Sequence, residues 1–352
     1  MDNTLDWLQA AVKSPCQQAL QGALAQQQQL TKPPGSLGQL EQLATTLASL
    51  QHTNTPQIEL ITIVIFAADH GIAAQGVSAF PQAVTAEMVK NFASGGAAIS
   101  VLAKQLQATL QVCNVGTVAE LTPNVGVLDC RLGAGTHDFS QQAAMSESQL
   151  QQALAIGKQQ VDMAHTSGCD LFIGGEMGIA NTSSASALAC ALLQLPASTL
   201  TGPGTGIDSQ TMQHKQAVIE QALQLHHLTQ TSPPLDCLRL VGGFEIAALV
   251  GAYLRAAQLG IPVLIDGFIA SVAALAAQQF QPKIAPWLLL GHQSAEPGHS
   301  VIVKALDKTP LLQLQMRLGE GSGAACAVPL LQLACALHNQ MATFASAGVS
   351  TQ

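Results

Sequence analysis

Charge is scarce in this chain. Only 10% of its 352 residues are Asp, Glu, Lys or Arg, against roughly 25% in an average globular protein. Cations are the scarcer kind, with 13 Lys and Arg against 21 Asp and Glu and a net charge of −8. A chain this poor in positive charge lacks what binding to a nucleic-acid backbone requires. Aromatic residues make up 3%, with 9 Phe, 2 Trp and 1 Tyr, which leaves few rings to stack on single strands. The eight cysteines form no CxxC pair, and several lie in apolar runs. They read as free thiols in a reducing compartment, so a cytoplasmic location is expected. Met1 to Leu8 has no basic start or apolar core and carries Asp2 and Asp6, unlike a signal peptide. The most apolar stretch, Ile246 to Ala277, is broken by Arg255 and Asp266. No membrane span is expected, since one needs about 18 unbroken apolar residues.

With little charge to solvate a monomer, the chain is expected to bury a homo-oligomeric interface. Gln, Ser and Thr offer an alternative source of solvation, as in the run Gln26 to Gln29.

Apolar residues and glycine, by contrast, are plentiful: 48% hydrophobic residues and 30 Gly. They fall into a repeated unit, in which a short apolar run ends in glycine plus a polar residue and a helical pattern follows. Six such runs stand out: Leu60–Ala67, Leu110–Val115, Asp170–Ile173, Leu238–Val241, Pro262–Ile265 and Trp287–Leu290. Continuous apolar strands alternating with helices imply a parallel sheet covered on both faces. The expected fold is α/β, a Rossmann-like doubly wound, mostly parallel six-stranded sheet. A barrel competes, but six units fall short of eight. Helical segments at both termini, around the Lys32–Gly38 break and over 324–346, are expected to form a small helical domain. The division is then 1–55 plus 325–352 for the helical domain and 56–324 for the α/β domain. Residues 121–138 show no clear element.

In doubly wound sheets, ligands bind beyond the carboxyl ends of the strands. Here those ends carry Gly, Asp, Glu, His and Ser, Asp266-Gly267 after Pro262–Ile265 among them, and three glycine-rich segments are candidates for chemistry. In Gly174-Gly175-Glu176-Met177-Gly178, the strand enters a turn, with Asn181 or Thr182 placed to cap the next helix. Such a turn can offer backbone N–H groups to an anion, or can be a tight turn with no ligand. Glu176 favours the first reading, since a carboxylate among glycines has no packing role. The spacing matches neither the dinucleotide fingerprint nor a Walker loop. The second segment, Gly202-Pro203-Gly204-Thr205-Gly206, is followed by a helix carrying Lys215, which can neutralise a phosphate. In the third, Arg317-Leu318-Gly319-Glu320-Gly321-Ser322-Gly323, Glu320 precedes an apolar helix that Ser322 is placed to cap. Pattern alone leaves Glu320 between a helix-start carboxylate and a general base. The ten His show no metal-ligand spacing, and no metal is expected.

These motifs together resemble the nicotinate-nucleotide–dimethylbenzimidazole phosphoribosyltransferase family. The matching segments are Lys32 to Gly38, Ala68-Asp69-His70-Gly71, Phe80-Pro81 with Val84-Thr85, and Gly175 to Thr182. They continue with Val241 to Phe244, Leu264 to Phe268, Ser294-Ala295-Glu296 and Met316 to Ala324. The resemblance implies transfer of phosphoribose from nicotinate mononucleotide to 5,6-dimethylbenzimidazole, in the assembly of the cobalamin nucleotide loop. The products would be α-ribazole 5′-phosphate and nicotinate. It implies a homodimer and no cofactor. It places the base on Glu320, and Glu176 and Asp266 in the active site. The phosphate falls to Lys215, with the N–H groups of Gly175, Met177 and Gly178 and of Gly202 and Gly204 nearby. Phe80, Met88 and Leu318 match the region that lines the benzimidazole pocket. Pro203 stands where many relatives carry a basic residue. Two other readings remain: the same fold serving another base, such as adenine or a phenol, and a non-catalytic nucleotide-binding module.

Overall fold

A computed structural model describes residues 6–121, 126–202, 204, 206 and 208–350. Pro203 lies outside the described residues. Six strands form one sheet in the order β3-β2-β1-β4-β5-β6, and every pairing is parallel. They are β1 (Ile61–Ala68), β2 (Thr109–Gly116), β3 (Val127–Asp129), β4 (Leu171–Met177), β5 (Val263–Ile265) and β6 (Leu288–Leu290). This is the doubly wound Rossmann order, with its switch point between β1 and β4. The sheet is open, with β3 and β6 at its edges, so the barrel is excluded.

β1 shows why a continuous apolar run suits a central strand. Successive side chains point to opposite faces, and both faces are covered. Val64, Phe66 and Ala68 enter the core on one side. Ile63, Ile65 and Ala67 enter the core on the other. The helices follow in chain order. α1 (Gln17–Gln29) and α2 (Gln39–Leu50) precede β1, and α3 (Ala83–Ser94) and α4 (Ala98–Gln105) follow it. α5 (Glu147–Thr166) leads into β4. Between β4 and β5 lie α6 (Asn181–Leu193), α7 (Ala197–Leu200), α8 (Ser209–Leu225), α9 (Pro234–Val241) and α10 (Phe244–Leu259). α11 (Phe268–Phe280) follows β5, and α12 (His299–Leu306), α13 (Ser322–Gln340) and α14 (Phe344–Ala347) follow β6.

Two sequence expectations are corrected. Leu238–Val241 is not a strand but the end of α9. Pro234 starts that helix, and its buried residues Cys237, Leu238 and Val241 recur at helical spacing. A four-residue apolar run cannot reveal its own period, and the two glycines after it look the same in either case. The sixth strand is instead β3, inside the stretch that showed no element. It has three residues and pairs only with β2, from Val112↔Val127 to Asn114↔Asp129. An edge strand this short leaves almost no alternation to read.

The terminal helices are in contact. Leu43, Ala44 and Ala334 form a small core of their own, joined by Leu40 and Leu311. Gln27 Nε2 meets His338 Nδ1 at 2.8 Å, and Gln26 Nε2 donates to the His338 carbonyl at 2.6 Å. The first half of α13 packs on the sheet through Ala324, Ala325, Val328 and Leu331. Lys32, in the break before α2, pairs with Glu41 at 2.9 Å, and Glu41 also accepts from Leu37 N at 3.0 Å. That segment therefore shapes the α1–α2 turn.

Candidate active site

A cleft of about 440 Å³ opens beyond the carboxyl ends of β4, β5 and β6, in the size range of small-ligand sites. A second groove, of about 430 Å³, lies between α2 and β6. None of the glycine-rich motifs reaches it. The first cleft collects them: Glu176, Met177 and Gly178 from β4, and Asp266 after β5. His292, Ser294 and Glu296 come from the segment after β6, and Arg317, Leu318 and Gly319 from the turn before α13. Phe80 and Gly204 complete the set of expected residues that line it. The first turns of α6 and α11 also face it, through Asn181, Thr182 and Phe268. Two helix N-termini directed at one cleft favour an anionic ligand.

Glu176 is buried, and its Oε2 accepts a hydrogen bond from Asn181 Nδ2. Burial pushes its carboxyl well above the usual carboxylate range, and the carboxylates of Glu245 and Asp266 push the same way. Asn181 is therefore a partner of Glu176 and not a helix cap. The residue before α6 is Ala180, at φ 72° with no side-chain cap. The Gly-rich turn also begins later than expected. β4 runs on through Met177, in register with β1 from Val64↔Gly174 to Ala67↔Met177. Gly174 and Gly175 thus belong to the sheet and do not form a loop. A Cβ on Gly175 would lie 2.5 Å from the Glu320 carbonyl oxygen and 2.5 Å from Ile65 Cδ1. Glycine there lets the turn before α13 rest directly on the strand.

Asp266 caps α13 from a distance. Its Oδ1 accepts from Ala324 N at 2.9 Å, and its Oδ2 from Gly321 N at 3.2 Å. His292 Nε2 lies 3.4 Å from Oδ1. Ser322, expected as the cap, is the first residue of the helix, and its Oγ donates to the Gly319 carbonyl at 2.6 Å. A cap 55 residues upstream leaves no local trace in sequence.

Glu320 occupies the most constrained backbone of the site. Gly319, Glu320 and Gly321 have φ of 87°, 63° and 78°, three consecutive residues in the left-handed region. A non-glycine residue there costs conformational energy, of order 1–3 kcal/mol. The side chain is 4% exposed and is not in the cleft wall. It faces the N–H of Ile99, at the start of α4. Burial raises its pKa, the Ile99 N–H lowers it and Asp266 raises it, for a net upward shift. Among the described residues its Oε2 has no hydrogen-bond partner. Met88, on α3, is likewise absent from the cleft wall and packs with Met177 into the core on the α3–α4 side.

Gly175, Gly202 and Lys215 also stand behind the wall. Lys215 is 1% exposed and donates to Thr182 Oγ1 at 2.8 Å. Burial pulls its pKa down to about 8, with Glu296 pulling it upward. Lys215 thus reaches the cleft through the first turn of α6. A separate buried chain runs beneath Gly178: Ser184 Oγ to His70 Nδ1 at 2.9 Å, and His70 Nε2 to Glu245 Oε1 at 2.8 Å.

Sequence reasoning assigned no site role to Glu296, Arg317 or His292, and read Asn181 only as a candidate helix cap. The strand-end rule that found Glu176 and Asp266 would also have found Glu296, in the segment just past β6. Nothing local marks Asn181 as anything but a cap.

Three comparisons show which known proteins the chain resembles. A family model described as phosphoribosyltransferase matches residues 12–349. The nicotinate-nucleotide–dimethylbenzimidazole phosphoribosyltransferase of Pseudomonas putida is 56% identical over 347 residues, covering 99% of both chains. The enzyme of the same description from Xanthomonas oryzae pv. oryzae is 54% identical over 345 residues, covering 98% of this chain and 99% of that one. A crystal structure of CobT from Thermus thermophilus superposes with a TM-score of 0.92 at 40% identity, covering 95% of this chain and all of that one.

Proposed function

The chain belongs to the nicotinate-nucleotide–dimethylbenzimidazole phosphoribosyltransferase family, and from that premise we propose the reaction and the part each residue plays in it. The donor is nicotinate mononucleotide and the acceptor 5,6-dimethylbenzimidazole. The bond between C1′ and the pyridinium nitrogen breaks, and its electron pair stays on nicotinate, which departs as a pyridine and needs no general acid. A benzimidazole nitrogen forms the new bond from the opposite face, which gives the α-product. The acceptor becomes cationic, and its other nitrogen gives up a proton.

Glu320 takes that proton. The single observation behind this role is its buried, unpartnered Oε2. A buried acceptor without a donor is costly to maintain, and an N–H on a flat base supplies the missing donor. The raised pKa matches the acceptor to its task. Glu176 and Asp266 face the carbon that becomes oxocarbenium-like and stabilise its charge. Met88 and Met177, which pack on the same core, supply the apolar surface for the base with Phe80 and Leu318 at the mouth. Lys215, acting with Thr182, serves the donor's phosphate beside Gly178 and Gly204.

The reading extends to organisation. A homodimer is supported by apolar residues exposed beside the cleft, Phe80 at 49% and Leu318 at 57%. A two-part division, with 1–55 and 325–352 as the helical part and 56–324 as the α/β part, is supported by the separate small core of α2 and α13. A cytoplasmic location is supported by eight free cysteines. Among the described residues no helix is long and apolar enough to cross a membrane.

The test is direct. The purified chain, mixed with nicotinate mononucleotide and 5,6-dimethylbenzimidazole, releases nicotinate and forms one equivalent of α-ribazole 5′-phosphate, read by chromatography. Release with adenine or a phenol but not with the benzimidazole would replace the acceptor. No release with any base would remove the catalytic reading.

A further inference from the structure

Glu296 takes no part in the bond-making and bond-breaking steps, yet it lies where Arg317 of the cleft wall and Lys215 behind it converge. It is 8% exposed and lines the cleft beside Arg317, Gly204 and Thr182. Its carboxylate accepts the backbone N–H of Gly204. Its Oε2 rests against Gly202 so closely that a Cβ would not fit there. The same loop is held by cations. Lys215 Nζ donates to the Gly202 carbonyl at 3.5 Å as well as to Thr182 Oγ1. Arg317 Nη1 donates to the Gly204 carbonyl at 3.3 Å. Both cations act on the Glu296 carboxylate, but among the described residues neither closes on it as an ion pair. Next to Gly202, the Thr201 hydroxyl is buried with no hydrogen-bond partner among the described residues.

A backbone N–H, a hydroxyl at a helix start, an ammonium and a guanidinium are the donors that a phosphate monoester needs. In this chain the anion among them is the protein's own. We propose that Glu296 holds the seat of the donor's phosphate: its carboxylate occupies the Gly204 N–H and faces both cations, and phosphate binds only as Glu296 gives the seat up. The proposal rests on the reading of the donor as a nucleotide.

The device sets specificity. A nucleoside brings no charge able to displace a carboxylate from two cations and an N–H, whereas a phosphate does. Two anions side by side in a buried site repel strongly. Glu296 must therefore swing away or take a proton when phosphate arrives. Burial already raises its pKa, against the pull of Lys215, Arg317 and Gly204, so the proton is within reach.

The experiment measures binding of inorganic phosphate by titration calorimetry to the wild-type chain, Glu296→Gln and Glu296→Asp, at one pH and ionic strength. Thermal unfolding of each variant checks that it is folded. Removing one facing charge is expected to tighten phosphate binding about tenfold in Glu296→Gln, while Glu296→Asp, which keeps the charge, stays near wild type. Weaker or unchanged binding by folded Glu296→Gln would overturn the proposal and make Glu296 a partner of a substrate hydroxyl. Nicotinate release by the wild type is scored separately. A tighter Glu296→Gln with no nicotinate release keeps the seat and loses the donor, and release with unmoved phosphate affinity does the reverse.

Discussion

Two glutamates with glycines nearby, Glu176 at the end of β4 and Glu320 in the turn before α13, are put to different uses. At the end of β4, the glycines before Glu176 are extended strand residues: the Glu320 backbone rests on Gly175, and the Leu249 and Tyr253 side chains rest on Gly174. In the turn before α13, the glycines flanking Glu320 have left-handed φ, and Glu320 is forced to share it. Glu176 lines the open cleft and has a partner in Asn181. Glu320 stands behind the wall with one oxygen unpaired. A glycine-flanked carboxylate therefore has no fixed meaning. Its surroundings decide whether it receives a substrate from the front or waits for a donor from behind.

Substitutions in either turn put that contrast at risk. The largest effect belongs to Glu320. If it is the base, Glu320→Gln lowers turnover by ~10²–10⁴ with little change in the nucleotide KM, read from steady-state nicotinate release. Near-normal turnover would reduce the turn to a structural feature. Next comes the contact between the two turns. In Gly175→Val, the added side chain pushes against the Glu320 carbonyl. A displacement of about 1 Å is expected to cost about 10² in turnover while the chain still folds, checked by circular dichroism. Unchanged turnover would show that the strand does not position the turn.

On the Glu176 side, Lys215→Ala is expected to raise the nucleotide KM about tenfold, as loss of a charge-assisted hydrogen bond does, and to leave the base KM nearly unchanged. Equal effects on both would contradict the phosphate role.

The smallest effect is on stability. Glu176, Glu296 and Glu320 all have folded-state pKa values above their ordinary 4.5. Above that value the folded chain holds protons that the unfolded chain has released, so stability falls as pH rises through this range. Lys215 acts oppositely between about 8 and its ordinary 10.5, and the buried His299, pulled down to about 4, acts oppositely between about 4 and its ordinary 6.5, as does His338 below 6.5. Thermal unfolding between about pH 6.5 and about pH 8 should therefore show the carboxyls' decline. Glu176→Gln and Glu320→Gln should each flatten it, because each removes a raised carboxyl. A decline unchanged by both would remove the two carboxyls as its source.

Five of the six strands were legible because a parallel strand covered on both faces reads as a continuous apolar run. The run ending at Val241 misled because four residues fit a buried helix stripe as well as a strand. β3 escaped because three residues at a sheet edge carry no pattern. Among the site residues, Glu176 and Asp266 were legible from the strand-end rule. Asn181 was misread, since a polar residue at a helix start is ordinarily a cap, and only the fold brings the Glu176 carboxylate to it. The Asp266 cap on α13 was unreadable for the same reason.

By itself the sequence determined the class of fold, the strand ends where chemistry gathers and the family, because these depend on local hydrophobicity and on glycine. Its shortage of charge also made the few carboxylates on glycine-rich turns conspicuous. Tertiary structure alone decided which of them faces the cleft, which caps a helix and which is left unpaired. Hydrogen-bond partners far apart in the chain meet only when strands and helices pack, and burial, which sets the pKa of each carboxyl, exists only in the folded state.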